Sequence, residues 1–368
     1  MATTTCPYCW TVHRRADLMM RCGERCDHRG ELFPERSLKE GRCPHGKQPQ
    51  LRRACPNCGN ELLREYVECG GRNIAVIGSS DSGKSTWVGV LVREFQRGQV
   101  HERFDGMTLN LLGERSRERY KKDFEIPLFE DSRPVLPTAS AVRTTPEPLL
   151  FSMRFTRPGR FGSNRIEPVV TVFYDTAGED VARAATLDQL IDYLESAEGI
   201  ILLLDPMQMR GVRQLVGGSG AKTKFTEQLD VVTRLGEVLS ERAKGRVGKL
   251  LKKPLAIALT KLDLLLPTFG PESPLRQPSR HIGVYDQSDG RDVHEEVRAW
   301  LDERYDPAFD RTVRSFFEVY QYFGLSALGA PPVSGTQLSP DGVHPYRLED
   351  PMLWLLSRFG VIRTRGGR

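Results

Sequence analysis

Gly78, Ser79, Ser80, Asp81, Ser82, Gly83, Lys84 and Ser85 follow the spacing G-x-x-x-x-G-K-[ST]. Glycines at these positions let backbone N–H groups curl around an anion, and a helix N-terminus placed after them adds a favourable dipole. Lys84 can then reach terminal phosphates and the Ser85 hydroxyl can ligate Mg2+, with Thr86 also counted among the nucleotide-binding residues. A second group, Asp175-Thr-Ala-Gly178, ends an apolar run. Its carboxylate can hold Mg2+ through water, and Gly178, lacking a side chain, lets its backbone N–H approach a γ-phosphate. A third, Thr260-Lys261-Leu-Asp263, also follows an apolar run. The Asp263 carboxylate only accepts, so it can take two hydrogen bonds from N1 and N2 of guanine, a donor pair that adenine lacks. Ser326, Ala327 and Leu328 supply a loop whose backbone can contact the base's O6.

These groups need elements that deliver them to one edge. Asn73–Ile77 reads as a strand and Trp87–Phe95 as a helix, with the glycine-rich turn between them. Strands Leu149–Phe155 and Pro168–Tyr174 read as a hairpin, and Gly199–Asp205 as a buried strand after a helix from Leu187 to Ser196. An amphipathic helix over 225–243, strands at Leu255–Leu259 and Val319–Phe323, a helix around 291–304 and a final helix over Pro351–Phe359 complete the pattern. Strands alternating with helices predict an α/β fold with a doubly wound, mostly parallel sheet, whose ligands bind at the carboxyl ends of the strands. Residues 97–148 are polar and proline-bearing and read as a mobile insert, helical only over Leu111–Phe124; further inserts fall at 206–250 and 267–300.

All eight cysteines lie between Cys6 and Cys69. Cys6-Pro-Tyr-Cys9 and Cys55-Pro-Asn-Cys58 have the form of zinc knuckles, in which a tight turn points two thiolates at one ion. The simplest partition puts Cys6, Cys9, Cys22 and Cys26 on one Zn2+ and Cys43, Cys55, Cys58 and Cys69 on another. Spacing also permits an interleaved arrangement, or His45 in place of one thiolate, because Cys43-Pro-His45 looks like a degraded knuckle. Residues 1–70 therefore read as a zinc-ribbon module stapled by metal, and 71–368 as the nucleotide-binding domain. Thirteen Lys/Arg against nine Asp/Glu over residues 1–72 are neutralised once eight thiolates and two Zn2+ are counted. A neutral ribbon binds a phosphate backbone poorly, so the module reads as structural or protein-binding and not as a nucleic-acid reader.

The 368 residues are 27% charged and 39% hydrophobic, enough for a sizeable core and incompatible with a wholly disordered chain. The net charge of +5 names no partner. No apolar run reaches the roughly 20 residues that span a bilayer, and the start, MATTTCPYCW, lacks a basic and then apolar leader, so the expected compartment is the cytoplasm, where disulfides are disfavoured.

With GSSDSGKS, DTAG, TKLD and SAL in this order and each at a strand end, residues 72 to 360 resemble the TRAFAC class of P-loop GTPases. The resemblance implies GTP and GDP as ligands and Mg2+ as cofactor, hydrolysis of GTP to GDP and phosphate, Lys84 and Ser85 on phosphate and Mg2+, Gly178 on the γ-phosphate and Asp263 on guanine. The Cys-rich front, the long gap before DTAGE and the closing PMLWLL are similar to bacterial double-GTPase proteins attributed to conflict or signalling systems. Two departures matter. Glu179 stands where many members place the glutamine that positions water, which implies slow hydrolysis without a partner or a supplied arginine. Lys84 and Asp175 are 91 positions apart, long for a switch I segment; Thr145 is favoured as the Mg2+ and γ-phosphate sensor over Thr144, with Thr138 as the fallback. Arg143 is either an arginine finger in cis or a solvated loop residue. A P-loop ATPase, a nucleotide-binding scaffold without turnover and a zinc-ribbon nucleic-acid protein are the competing readings.

Overall fold

The structure is a computed structural model that describes residues 3–23, 26–38, 41–45, 51–69, 71–104, 107–136, 148–158, 164–175, 191–215, 227–242 and 249–366. Residues 3–69 form a hairpin of β1 (Thr3–Thr5) and β2 (Val12–Arg14), and a four-stranded sheet of β3 (Met19–Arg21), β4 (Leu32–Pro34), β5 (Arg52–Ala54) and β6 (Glu61–Leu62) in the order β4-β3-β5-β6. With strands of two or three residues, this part buries only small clusters, Cys6, Leu18, Cys55, Leu62 and Val67 at one end and Met20, Cys22, Cys26, Phe33 and Cys43 at the other. Cysteines thus supply much of what core there is. Helix α1 (Arg64–Cys69) leads on to the main sheet.

That sheet has seven strands: β7 (Gly71–Gly78), β8 (Thr108–Leu111), β9 (Leu149–Pro158), β10 (Asn164–Asp175), β11 (Gly199–Leu204), β12 (Leu255–Leu259) and β14 (Tyr320–Gly324). Their order is β14-β12-β11-β7-β10-β9-β8, parallel throughout except for β9, which runs antiparallel to both neighbours. Side chains alternate across it. Ile74 and Val76 point with Ile201, Leu203, Ala256 and Ala258 towards α2 (Lys84–Arg97) and α11 (Asp350–Arg358). Ala75 and Ile77 point with Ile200, Leu202, Leu204 and Ile257 towards α7 (Gln228–Arg242), α9 (Gln287–Arg304) and α10 (Ala308–Phe316). Helices therefore cover both faces, as continuous apolar runs in β11 and β12 require. A small parallel pair, β13 (Tyr285–Asp286) with β15 (Thr364–Arg365), fastens the C-terminal end beside α9.

The expectation of a mobile insert over 97–148 is corrected for its described part. Residues 99–130 form α3 (Gln99–Arg103), the edge strand β8, α4 (Gly113–Tyr120) and a π-helical continuation through Glu130. Phe104, Met107, Leu109, Tyr120, Phe124 and Leu128 all enter the core. Three element types in thirty residues leave no single hydrophobic period to read. Gly89 on α2 makes the fit possible, since a Cβ there would lie 2.9 Å from Phe124, and the Tyr120 hydroxyl donates to the Gly89 carbonyl at 3.1 Å. Among the described residues, no helix is long and apolar enough to cross a membrane.

Candidate functional site: a phosphate loop and two thiolate clusters

β7 ends at Gly78, directly opposite Leu203 of β11, and the approach is close: a Cβ at Gly78 would lie 2.5 Å from the Leu203 carbonyl oxygen and 2.6 Å from Ser82 Oγ. The chain then turns through left-handed conformations at Asp81 (φ 62°) and Gly83 (φ 87°), which is the N-cap of α2. Space beside Gly83 is open, so its glycine answers the backbone angle and not a contact. Lys84 is buried, and its Nζ donates to the carbonyls of Gly78 and Ser79, each at 3.0 Å. The loop thus wraps its own ammonium, holding a positive charge at the helix N-terminus. Ser79 and Ser82 are fully buried, Ser82 Oγ without a hydrogen-bond partner among the described residues, while Ser80, Ser85 and Thr86 stay partly open.

The Thr260–Asp263 segment is fixed from both sides. The Thr260 hydroxyl donates to the Leu204 carbonyl at 2.9 Å, and Leu262 N–H donates to Leu325 O at 3.0 Å. Lys261 is left-handed (φ 54°), and its Nζ pairs with Asp205 Oδ1 at 2.9 Å, Asp205 being fully buried at the end of β11. Ser326 Oγ donates to Asp263 Oδ1 at 2.5 Å and accepts from Gly329 N–H at 2.9 Å. Ser326 also exchanges backbone hydrogen bonds with Tyr346, and His344 N–H donates to Leu328 O. The Ser326-Ala327-Leu328 loop is therefore clamped beside Asp263.

Asp175 is the last residue of β10 and lies in register with Val76 of β7, two residues before the phosphate loop. Its side chain is outside the described part, as are Gly178, Glu179, Thr138, Arg143, Thr144 and Thr145 altogether.

One buried residue at the loop belongs to no motif. Gln228, at the start of α7, donates from Nε2 to Ser79 Oγ at 3.3 Å, tying that helix to the phosphate loop. Nothing in its sequence neighbourhood marks it.

The cysteines gather differently from the simplest partition. Cys6, Cys9, Cys55 and Cys58 form one group and Cys22, Cys26, Cys43 and His45 the other, each with its ligand atoms within 4.8 Å of one another. The interleaving comes from antiparallel pairing of β3 with β5, which sets Met19 opposite Ala54 and Arg21 opposite Arg52. Cys55 thereby lands beside the Cys6–Cys9 turn, while Cys22 lies at the ladder's other end. Cys69 is in α1, its side chain outside the described part, and His45 stands as the fourth donor. Sulfur separations of 3.7 Å (Cys6–Cys58), 3.6 Å (Cys9–Cys55) and 4.0 Å (Cys26–Cys43) suit a tetrahedron with metal–sulfur bonds of about 2.3 Å, whose edges are about 3.8 Å. No disulfide joins the seven described cysteine side chains. His45 presents Nδ1 at 3.6 Å from Cys22 Sγ and sets Nε2 3.3 Å from Glu31 Oε2, the carboxylate–imidazole arrangement that orients a metal-binding ring. Burial pushes the Cys55 thiol up to about 11 and Cys22 up to about 12. Burial also raises Cys9, but hydrogen bonds from Thr11 and Asn57 outweigh it and hold that thiol at about 6. A divalent cation among these sulfurs would relieve the burial cost of the thiolates.

A family model described as Double-GTPase 2 matches residues 72–317. The chain belongs to the Double-GTPase 2 family. The narrower of the two resemblances is thus borne out, and this double-GTPase is a GTPase-type nucleotide-binding protein. It is 28% identical over 343 residues to a protein of Mycolicibacterium smegmatis called a putative ESX-1 scaffolding and assembly protein, SaeC, covering 84% of this chain and 80% of the relative. Among solved structures it is similar to a GTP-binding protein from Sulfolobus solfataricus in complex with GDP (12% identity, 78% of this chain and 53% of that one, TM-score 0.29). Another is the signal recognition particle receptor SRb-GTP/SRX complex from Chaetomium thermophilum (13% identity, 71% and 93%, TM-score 0.31). The chain spans about half of the Sulfolobus protein's length. At these TM-scores the family match alone carries the assignment.

Proposed function

We propose that this double-GTPase is a Mg2+-dependent GTPase working as a molecular switch, with a zinc-stapled module over about residues 1–70 joined to a GTPase domain over 71–368. The observation that supports the reading is the phosphate loop folded around Lys84, with Nζ held by the Gly78 and Ser79 carbonyls, and Asp263 hydrogen-bonded by Ser326 of the following strand's loop. Mg2+, when bound, neutralises charge on the β- and γ-phosphates. Ser85, Asp175 and Thr145 would hold it. Lys84 stabilises the phosphate oxygens, the Gly178 N–H senses the γ-phosphate, and Asp263 selects guanine over adenine. Glu179 offers no amide N–H to orient water, so turnover is slow without a partner. The two thiolate groups each hold one Zn2+ as structural sites, one through four cysteines and the other through three cysteines and a histidine. The chain's partner is a protein effector, in a bacterial conflict or signalling setting, and neither a membrane nor nucleic acid.

The test is nucleotide content of the gently purified protein, GTP against ATP in competition, and phosphate release by wild type and Lys84→Ala. Guanine selectivity and Lys84-dependent release support the reading; adenine selectivity overturns it, and single-turnover release near about 1 s⁻¹ without a partner overturns the role given to Glu179. A second reading, a nucleotide-binding scaffold without turnover, is favoured by the name of the M. smegmatis relative. Tight GTP retention with no phosphate release would select it.

A further inference from the structure

Within the phosphate loop, Ser79 is held through both its backbone and its side chain. Its carbonyl accepts from Lys84 Nζ at 3.0 Å and from the Ser82 N–H at 3.2 Å, while its Oγ accepts from Gln228 Nε2 at 3.3 Å. Ser79 and Gln228 are both fully buried, so water cannot take the place of either partner and the glutamine cannot touch a nucleotide itself. Whatever Gln228 does for the loop it does through Ser79, one of the two residues whose carbonyls hold the lysine.

The backbone that carries Gln228 is fixed independently of the loop. Gln228 is the first residue of α7, and its two neighbours meet one hydroxyl: the Leu229 N–H donates to the Tyr305 hydroxyl at 3.0 Å, which in turn donates to Glu227 Oε1. Tyr305 caps α9, its N–H donating to the Leu301 carbonyl at 3.0 Å, and its ring lies 5.8 Å from that of Phe309 in α10. Further along α7, Val231, Val232 and Leu235 enter the same core as Phe309 and Val313, and Gly236 lets the Phe316 ring lie against the helix. The amide thus projects from a helix start that α9 and α10 set in place, and a side chain on such a backbone gives up less freedom to make its bond.

We infer that Gln228 is a positioning residue of the nucleotide site, which fixes the Ser79 carbonyl and thereby slows nucleotide release. The inference rests on the reading of this loop as a guanine-nucleotide site. An arriving phosphate draws the Lys84 ammonium away from its two neutral acceptors, since the charged acceptor makes the stronger bond. If the Ser79 peptide followed the lysine, the loop N–H groups would turn from the anion they face. The Ser79 side chain cannot follow without leaving the Gln228 amide, and a buried hydroxyl that loses its donor bears the full cost. The glutamine therefore holds the loop in its anion-binding shape while the lysine changes partners.

The test uses the full chain and stopped-flow release of fluorescent GDP from wild type, Gln228→Met, Ser79→Ala and the double variant. Gln228→Met keeps the length and removes the amide; Ser79→Ala removes a single oxygen and reads the same bond should the methionine variant not fold. Each single variant is expected to release GDP about tenfold faster, the worth of one hydrogen bond between buried groups. The double variant should be no faster than the singles, because both changes delete one bond. Tyr305→Phe, which loses the hydroxyl that brackets Gln228, should quicken release by a smaller factor, and the preference for GTP over ATP should stay as in wild type throughout. Release within about twofold of wild type in both single variants, or accelerations that multiply in the double variant, would overturn the inference alone. A wild type that binds no fluorescent GDP would overturn the nucleotide reading and this inference with it.

Discussion

Asp263→Asn tests the base site at the atom that defines it. Ser326 Oγ gives its only hydrogen to Asp263 Oδ1 at 2.5 Å while accepting from the Gly329 N–H at 2.9 Å. In the variant the amide oxygen can keep the Ser326 hydrogen bond by facing Ser326. The amide nitrogen then occupies the other carboxylate position and presents donors to guanine, which presents donors in return. Two hydrogen bonds to a charged acceptor are lost, each worth about 1.5–3 kcal/mol. Asp263 is half-buried, so the lower end applies, giving about 3 kcal/mol or about 150-fold in GDP affinity. Xanthine carries an oxygen where guanine carries its 2-amine, and the amide nitrogen can donate to it. Titration with fluorescent GDP and XDP should show the guanine nucleotide weakened and the xanthine nucleotide strengthened. GDP affinity within about threefold of wild type, with no gain for XDP, would refute the assignment of Asp263 to the base.

Glu31→Gln removes the charge 3.3 Å from His45 Nε2 and should weaken zinc at the group of Cys22, Cys26, Cys43 and His45 by about 10–100-fold in chelator competition, while leaving the four-cysteine group unaffected; unchanged affinity would show that the Glu31 charge does not support His45 as a ligand. Gly236→Ala adds a Cβ 2.2 Å from the Phe316 ring, so overpacking of about 1–3 kcal/mol offsets the roughly 1 kcal/mol gain in helix propensity, giving a lower thermal midpoint that Phe316→Leu restores. His281 is buried among Asp289, Asp350, Arg347 and Tyr285, and its Nδ1 accepts from the Asp286 N–H at 3.0 Å, which keeps the ring neutral. Burial lowers its pKa, so below about pH 6.5 the unfolded chain binds more protons than the folded one and stability falls as pH falls towards the lowered value. His281→Gln should flatten that acid slope in urea unfolding by about one proton, and an unchanged slope would show that the ring does not titrate there.

The placement of the candidate motifs at strand ends was legible in the sequence. Val76, Leu203 and Leu259 belong to apolar runs too uniform for a surface, so the motifs that follow them stand at the ends of buried strands. The helix over 225–243, the strand at 255–259 and the closing helix were legible for the same reason: one period each. Residues 99–130 were not, because Leu109 belongs to a strand, Tyr120 to a helix and Leu128 to a π-helical turn. The pairing of the cysteines was hidden by a different cause. Knuckle spacing fixes which two thiolates share a turn, but which turns meet is set by the β3–β5 register, and strands of three residues carry too little pattern to reveal it. Gln228 was hidden because a single glutamine entering a helix has no spacing at all.

Contacts also join the four-cysteine turn to the strand that carries the phosphate loop. The turn closed by Cys6 and Cys9 ends in Trp10, left-handed at φ 60°, whose ring lies 5.0 Å from that of Tyr193. Tyr193 belongs to the described part of helix α5, residues 191–196, and is fully buried. Its hydroxyl accepts from the Val76 N–H at 2.9 Å and donates to the Ile74 carbonyl at 3.2 Å, both in the strand that carries the phosphate loop. Tyr66 extends the contact on the other side, donating to the Thr5 carbonyl at 2.6 Å and packing on Leu150 and Val172. Trp10 is held there by the turn's own backbone bonds, its N–H donating to the Cys6 carbonyl at 2.9 Å while the Cys6 N–H donates to the Thr11 carbonyl at 2.9 Å. The four-cysteine turn is therefore joined to β7 through one aromatic pair and one hydroxyl.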